Sequence, residues 1–192
     1  ALSRGADRAI LLTDRKFGGA DTLATSYALA SAIKKLGRFD LVICGEKTVD
    51  GDTGQIGPEL AEHLDILQIT YVSGIKEVSE EKILAVSEMG GGAYLMESKL
   101  PALITVTKDI NEPRLPSLRD RMRARKSTIE TWSASALADT ADVNKFGLSG
   151  SPTMVSKVIV PSEKTRKGQF FEGDEAVSRL AEALGKEGLL GE

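Results

Sequence analysis

The fold is decided by the stretch Cys44-Gly-Glu-Lys-Thr-Val-Asp-Gly-Asp-Thr-Gly-Gln-Ile-Gly-Pro58. The apolar run before it, residues 40–44, predicts a buried parallel strand. Residues 58–64 after it predict a helix with Pro58 near its first turn. A glycine-rich connection of this kind exposes backbone N–H groups at a helix N-terminus, where a phosphate is favoured. The stretch therefore indicates a nucleotide site. A tight connection with helix caps is the alternative, and both interpretations stay open.

The polar residues of this loop suit different parts of a nucleotide. The pattern is neither a Walker A loop nor a Gly-x-Gly-x-x-Gly fingerprint. Because carboxylates repel phosphate, we expect Asp50 and Asp52 to hold the loop by accepting N–H bonds or to accept from a ribose hydroxyl. The Thr53 hydroxyl can donate a hydrogen bond to a phosphate oxygen, and the Gln55 amide can form hydrogen bonds with a polar edge of the nucleotide.

Composition narrows the class of protein. A chain of 192 residues with 41% hydrophobic residues suits one domain with a small appendage. Its net charge of −3 gives no general attraction to nucleic acid, and no apolar run or signal peptide indicates membrane insertion or export. The single cysteine, Cys44, excludes an intrachain disulfide and fits a reducing compartment, so we expect a cytoplasmic protein. His63 has no second ligand in view and is a poor metal candidate.

The order of the predicted elements indicates an α/β fold. Strands over 9–13 and 39–44 alternate with helices over 22–36 and 58–64, which predicts a Rossmann-like parallel sheet with helices on both faces. Alternation over 68–75, 82–88 and 93–98, with Gly90-Gly-Gly92 between the last two, predicts an antiparallel hairpin extension. A plain turn at these glycines is favoured over a phosphate nest. A further buried strand is expected over 101–107.

The last third of the chain changes character. Two prolines in residues 111–118 exclude regular structure, and Ser117 is expected to cap a basic helix over 118–126. A strand over 128–133 follows, then an irregular stretch over 139–162 anchored by Phe146 and residues 158–160. An amphipathic helix over 174–188 ends the chain. We therefore expect a domain over 1–135, with a recognition loop over 109–126, and an extended arm with a helix over 136–192.

The basic helix allows three interpretations. A solvated helix face is the simplest. Nucleic-acid binding is weaker, because no aromatic residues interleave with the arginines and the chain is acidic overall. Partner docking is favoured, because a proline-stiffened loop would hold Leu115 and Leu118 outward at low entropic cost.

Several segments together resemble the β subunit of electron transfer flavoproteins. They are Ala20-Asp-Thr-Leu-Ala-Thr-Ser26, Asp50-Gly-Asp-Thr-Gly-Gln-Ile-Gly57, Gly90-Gly-Gly-Ala-Tyr-Leu with Lys99-Leu-Pro-Ala-Leu-Ile-Thr105, and Asn111-Glu-Pro-Arg-Leu-Pro-Ser-Leu118 with Met122-Arg-Ala-Arg-Lys126. Members of this family open with a strand and a helix that are absent here, so we expect the sequence to begin within the fold.

The resemblance implies a heterodimer with a flavin-binding α subunit, over which the C-terminal arm lies. It implies that the β subunit binds FAD, as in electron bifurcation from NADH, or AMP as a structural nucleotide; FAD is favoured. A nucleotide-binding regulatory domain without a redox role is the alternative of another class. The implied cofactor-binding residues are Gly45, Asp50, Gly51, Asp52, Thr53, Gly54, Gln55, Ile56, Gly57, Thr22 and Thr25. The residues implied to recognise an acyl-CoA dehydrogenase-type partner are Leu115, Leu118, Arg114, Arg119 and Met122.

Overall fold

The computed structural model describes residues 1–159 and 168–189, and these form the predicted α/β fold. The strands are β1 (Ile10–Leu12), β2 (Leu41–Gly45), β3 (Leu67–Val78), β4 (Lys82–Met89), β5 (Gly92–Lys99), β6 (Ala102–Val106) and β7 (Glu130–Trp132). The helices are α1 (Thr22–Leu36), α2 (Ile56–Leu64), α3 (Leu118–Lys126), α4 (Gly147–Gly150) and α5 (Ala176–Lys186). No helix within these ranges combines the length and the apolar composition needed to cross a membrane.

A five-stranded sheet has a parallel half and an antiparallel half. Its strand order is β2-β6-β3-β4-β5, and β6 pairs in parallel with both β2 and β3. The strands β3, β4 and β5 pair antiparallel in chain order. The turn between β4 and β5 uses Gly90 and Gly91, with φ values of 59° and 83° that glycine adopts without strain. The predicted hairpin extension and its glycine turn are therefore present.

The strand β1 lies in a second sheet, where it pairs in parallel with β7. We expected β1 to join β2 in one parallel sheet, and the structure corrects this. The Arg8 guanidinium donates two hydrogen bonds, of 2.7 and 2.8 Å, to the Glu130 carboxylate and fastens the two strands. Leu12 and Trp132 then pack against the buried cluster around Phe146, which explains why the pairing is favourable.

The helices α1 and α2 pack against each other and against the parallel half of the sheet. Ala30 of α1, Leu60 and Ala61 of α2, and Leu103 of β6 form one buried cluster. The helix α2 starts at Ile56, two residues before the predicted start, so Pro58 is its third residue. The strand β2 is not fully buried as predicted. Among the described strands it lies at one edge of the five-stranded sheet, and its residue Ile43 is 60% exposed.

The chain divides into a compact unit, Ala1–Met154, and a second unit, Val155–Glu192. Within the first unit, the Thr140 hydroxyl donates to the Ser31 carbonyl of α1, and Phe146 is buried as predicted. Residues 136–154, which the sequence assigned to the arm, thus pack on α1. The second unit contains α5. Val158 and Ile159 are exposed and do not anchor their stretch as predicted, and Val160 lies outside the described residues.

Candidate functional site

A groove of about 570 Å³ lies at the carboxyl ends of β2 and β6. The two strands end side by side, with Gly45 opposite Val106, and the Glu46 N–H donates to the Val106 carbonyl at 3.0 Å. Ligands of open α/β sheets bind at this edge, beyond the carboxyl ends of parallel strands. The groove is lined by Gly45, Glu46, Lys47, Thr48, Val49, Asp52, Val106, Thr107 and Lys108.

The loop that forms one wall of the groove is held by its own polar groups. The Thr48 carbonyl accepts from the Asp52 N–H at 2.9 Å, and the Thr48 hydroxyl accepts from the Gly51 N–H at 3.3 Å. The Thr48 hydroxyl and the Gly51 N–H also hold the pKa of the Asp50 carboxyl below its ordinary value. Asp50 thus lies within a tight turn that Thr48 closes, and the roles expected for its carboxylate stay predictions.

An ion pair joins the two sides of this turn. The Lys47 Nζ atom lies 2.6 Å from Asp52 Oδ1, and both side chains are largely exposed. The hydrogen bond to Asp52 raises the pKa of the Lys47 ammonium. Asp52 has a φ of 50°, in the left-handed region that non-glycine residues seldom adopt. Val49 stands fully exposed at the tip of the turn.

The glycines of the loop serve different purposes. A Cβ atom on Gly45 would meet nothing within 4 Å, so this glycine leaves the groove open. Gly54 has a φ of 65°, which places the chain in a turn that favours glycine. Gly57 is buried in the first turn of α2, where a Cβ would collide with the Thr105 methyl group of β6. Gly57 therefore lets helix and sheet approach closely. Thr53 and Gln55 are exposed just before α2 starts at Ile56.

The two threonines predicted on the other helix lie three residues apart on α1. The Thr22 hydroxyl donates to Glu59 of α2 at 3.0 Å, so Thr22 lies beside the first turns of α2. Thr25 lines a different, largely apolar cavity together with Phe17 and Leu29. Thr22 therefore contacts α2, and neither threonine is among the residues that line the groove.

The predicted recognition segment presents apolar side chains beside positive charge. Leu115 and Leu118 are 79% and 75% exposed, and Met122 lies one helical turn after Leu118 on the same face of α3. A capping box between Ser117 and Asp120 fixes the start of α3. Arg114 donates to the Arg4 carbonyl and Arg4 donates to the Arg114 carbonyl, so the loop is tied to the N-terminal turn. The basic residues of α3 are Arg119, Arg121, Arg123, Arg125 and Lys126.

Other chemistry-bearing residues take structural roles. Burial raises the pKa of the Cys44 thiol, which opposes thiolate formation. The His63 ring stacks edge-on against Tyr27 with centroids 5.5 Å apart. Among the described residues, no group of three or more His, Cys, Asp or Glu side chains could hold a metal ion.

Several residues around the groove were not among the predicted site residues. Lys47 and Thr48 lie within the quoted stretch, where a cation in a glycine-rich loop was an available signal. Lys108 comes from the far side of the groove, after β6. Tyr71 reaches the loop from β3, and its hydroxyl lies 3.3 Å from the position that a Cβ on Gly54 would take. Lys108 and Tyr71 are distant from the loop in sequence, and only the fold brings them close to it.

The comparisons with known proteins agree with the resemblance seen in the motifs. The family described as "Electron transfer flavoprotein domain" matches residues 1–137. The chain belongs to the electron transfer flavoprotein family. It is 48% identical over 170 residues to "Electron transfer flavoprotein subunit beta" of Megasphaera elsdenii, covering 85% of this chain and 62% of that protein.

Further relatives of the electron transfer flavoprotein family carry two different names. The chain is 43% identical to "Protein FixA" of Azorhizobium caulinodans, with 91% of this chain and 64% of that protein covered. It is also 43% identical to "Electron transfer flavoprotein subunit beta" of Thermoanaerobacterium thermosaccharolyticum, with 96% of this chain and 70% of that protein covered. The chain thus spans less than two thirds of the M. elsdenii and A. caulinodans proteins.

Proposed function

We propose that this chain acts as the β subunit of a heterodimeric electron transfer flavoprotein. In this role it holds a nucleotide in the groove at the ends of β2 and β6. The observation that supports the proposal is the position of the glycine-rich loop, which follows β2 at the carboxyl ends of the parallel strands, the edge where α/β sheets bind ligands. The family match supports it as well. FAD is the favoured nucleotide, and AMP is the second candidate, because both contain adenosine and its first phosphate.

The residues present fit a nucleotide. Gly45 leaves space in the groove, Lys47 and Lys108 supply positive charge for a phosphate, and the carboxylates of Glu46 and Asp52 line the same groove. The exposed hydroxyl of Thr53 and the amide of Gln55 precede α2, whose N-terminus favours an anion. When bound, FAD supplies the capacity to accept and release electrons. The side chains named here bind and orient the nucleotide.

The electron path and the partners extend this proposal. We assign the α subunit as the companion chain, with the apolar face of α5 as one contact. Electrons would pass between NADH or an acyl-CoA dehydrogenase-type flavoenzyme and other acceptors, by flavin-based bifurcation where FAD occupies the groove. The exposed leucines of the recognition segment support docking of the flavoenzyme, because exposed apolar side chains on a braced loop mark interaction sites.

The test measures nucleotides per heterodimer after coexpression with the α subunit. Two FAD molecules support FAD in this chain, whereas one FAD and one AMP support the second candidate. A Gly45→Val variant places a branched side chain in the open groove and should lower the nucleotide content of this chain. Gly74→Val is the matched control, since Gly74 also lies in a strand with nothing within 4 Å of its Cβ position. Full nucleotide content in Gly45→Val would place the site elsewhere.

A further inference from the structure

The ion pair between Lys47 and Asp52 occupies the rim of the groove. It joins Nζ and Oδ1 at 2.6 Å, while 43% of the Lys47 side chain and 64% of the Asp52 side chain remain exposed. A pair in this setting contributes little to stability, because water screens it and two side chains must be ordered to make it. A stronger anion in the groove can therefore replace the Asp52 carboxylate.

Tyr71 brings a second donor to the same place. It lies in a bulge of β3, between the residues where the register with β6 shifts, and its φ is 52°. The Thr105 hydroxyl oxygen accepts from the Tyr71 N–H at 2.9 Å and supports this conformation. A left-handed conformation is costly for a bulky residue, and such strain is concentrated at ligand sites. The bulge aims the phenol at Gly54.

Four charged side chains line the groove, Glu46, Lys47, Asp52 and Lys108, so an anion in the groove would contact the two lysines. The Tyr71 hydroxyl and the Glu46 carbonyl lie 3.3 and 3.7 Å from the position that a Cβ on Gly54 would take, so the phenol lies near the residue that precedes Lys47. Lys108 adds a second positive charge on the other wall of the groove. Two of the three described non-glycine residues with positive φ, Asp52 and Tyr71, belong to this cluster. The cluster therefore combines a cation, a phenol donor and two strained backbone positions around one opening.

We propose that Lys47 binds the nucleotide phosphate by exchanging Asp52 for it, and that Tyr71 donates a hydrogen bond beside it. Asp52 holds the ammonium in place while the groove is empty. A phosphate group carries more negative charge than a carboxylate and offers three acceptor oxygens, so it displaces the Asp52 carboxylate from the Lys47 ammonium. This inference rests on the proposed nucleotide function and adds to it the phosphate-binding residue and the internal group that competes with the ligand.

A purely structural role for the pair predicts different behaviour. If Lys47 and Asp52 only tie the loop, then removing either partner loosens the same turn. Binding of a nucleotide and of its phosphate-free nucleoside would then weaken together. In the exchange proposed here, the two substitutions act in opposite directions on the nucleotide and leave the nucleoside unaffected.

The experiment titrates AMP and adenosine into the full chain, purified with its α subunit and stripped of nucleotide. Lys47→Met should weaken AMP binding by about tenfold or more, since a charge-assisted hydrogen bond is lost. Asp52→Asn should tighten AMP binding about threefold, because a weak competing ion pair and a repulsive charge are removed. Tyr71→Phe should weaken AMP binding about fivefold. The affinity for adenosine should stay constant in the Lys47 and Asp52 variants.

The control variant is Lys99→Met, which removes an exposed lysine of β5 and should leave both affinities unchanged. Equal weakening of AMP and adenosine in Lys47→Met, or unchanged AMP binding, would overturn the exchange while leaving the nucleotide function intact. Weaker AMP binding in Asp52→Asn would also overturn it. If the parent protein binds neither AMP nor FAD, the proposed function fails first and the exchange fails with it.

Discussion

At the residue scale, Gly57 shows how one missing side chain positions the groove. The helix α2 starts one residue before it, and Gly57 rests on the Thr105 methyl group of β6. Thr105 is itself buried and bonds the Tyr71 backbone. Thr105 therefore connects three features, which are the packing of α2 on the sheet, the bulge of β3 and the loop before α2.

We predict that Gly57→Ala destabilises the protein, because the added Cβ has no space in front of Thr105. Overpacking of a tight contact costs about 1–3 kcal/mol. The measurement is the free energy of unfolding from denaturant titration. Gly74→Ala is the matched control, because its Cβ would meet open space. Equal stability of Gly57→Ala and the parent would show that the helix can shift freely.

At the element scale, α3 is a short helix whose start is unusually well determined. Its capping box, the prolines before it and the exchange of hydrogen bonds between Arg4 and Arg114 fix the segment that carries Leu118. A fixed loop loses little conformational entropy on binding. Most of the free energy gained by burying one apolar side chain would therefore contribute to the affinity for a partner. We expect the basic residues around Leu118 to raise the association rate with an acidic partner, and to do so less at high salt.

We predict that Leu118→Ala slows electron delivery to the partner flavoenzyme. A leucine that leaves water completely contributes roughly 1.5–3 kcal/mol, so the apparent affinity should fall by more than tenfold. Nucleotide content and reduction by NADH should stay intact. Leu36→Ala, at an exposed leucine of α1, is the control. Unchanged transfer in Leu118→Ala would leave Leu118 as a packing residue of the loop.

The elements were predictable where the signal is local. Capping by Ser117, the glycine turn between β4 and β5, and the strand before the quoted loop follow from residues adjacent in sequence. The pairing of β1 with β7 was not predictable, since it depends on which strand the returning chain meets. The bulge at Tyr71 was equally hidden, because an alternating apolar pattern does not show where a register shifts. Three of the nine residues that line the groove, Val106, Thr107 and Lys108, therefore became visible only in the structure.

At the scale of the whole molecule, the second unit carries the clearest amphipathic helix. Val177 is 79% exposed and Leu180 is 45% exposed on α5. Side chains of this kind are usually covered in the functional protein, because exposed apolar area is costly in water. The role of the arm as a contact to the α subunit stays a prediction.

We predict that the double substitution Val177→Asp and Leu180→Asp weakens the heterodimer. Two apolar contacts are lost and two charges must be desolvated, so the dissociation constant should rise by at least about a hundredfold. Analytical ultracentrifugation of the complex measures this. Ser178→Asp adds a charge to the same helix and serves as the control. A double variant that assembles as tightly as the control would contradict a role of α5 in assembly.

The strand β5 lies at the opposite edge of the five-stranded sheet from β2, and this position affects the solubility of the newly made chain. In the described part of the chain, no strand lies beyond β5, and its Tyr94 and Leu95 side chains are exposed. The unpaired backbone groups of an edge strand can form β-sheet hydrogen bonds with another polypeptide, which leads to aggregation. The charged residues Lys82, Glu97 and Lys99 near this edge oppose such pairing. These charges therefore help to keep a newly made chain in solution, and their removal is expected to promote aggregation.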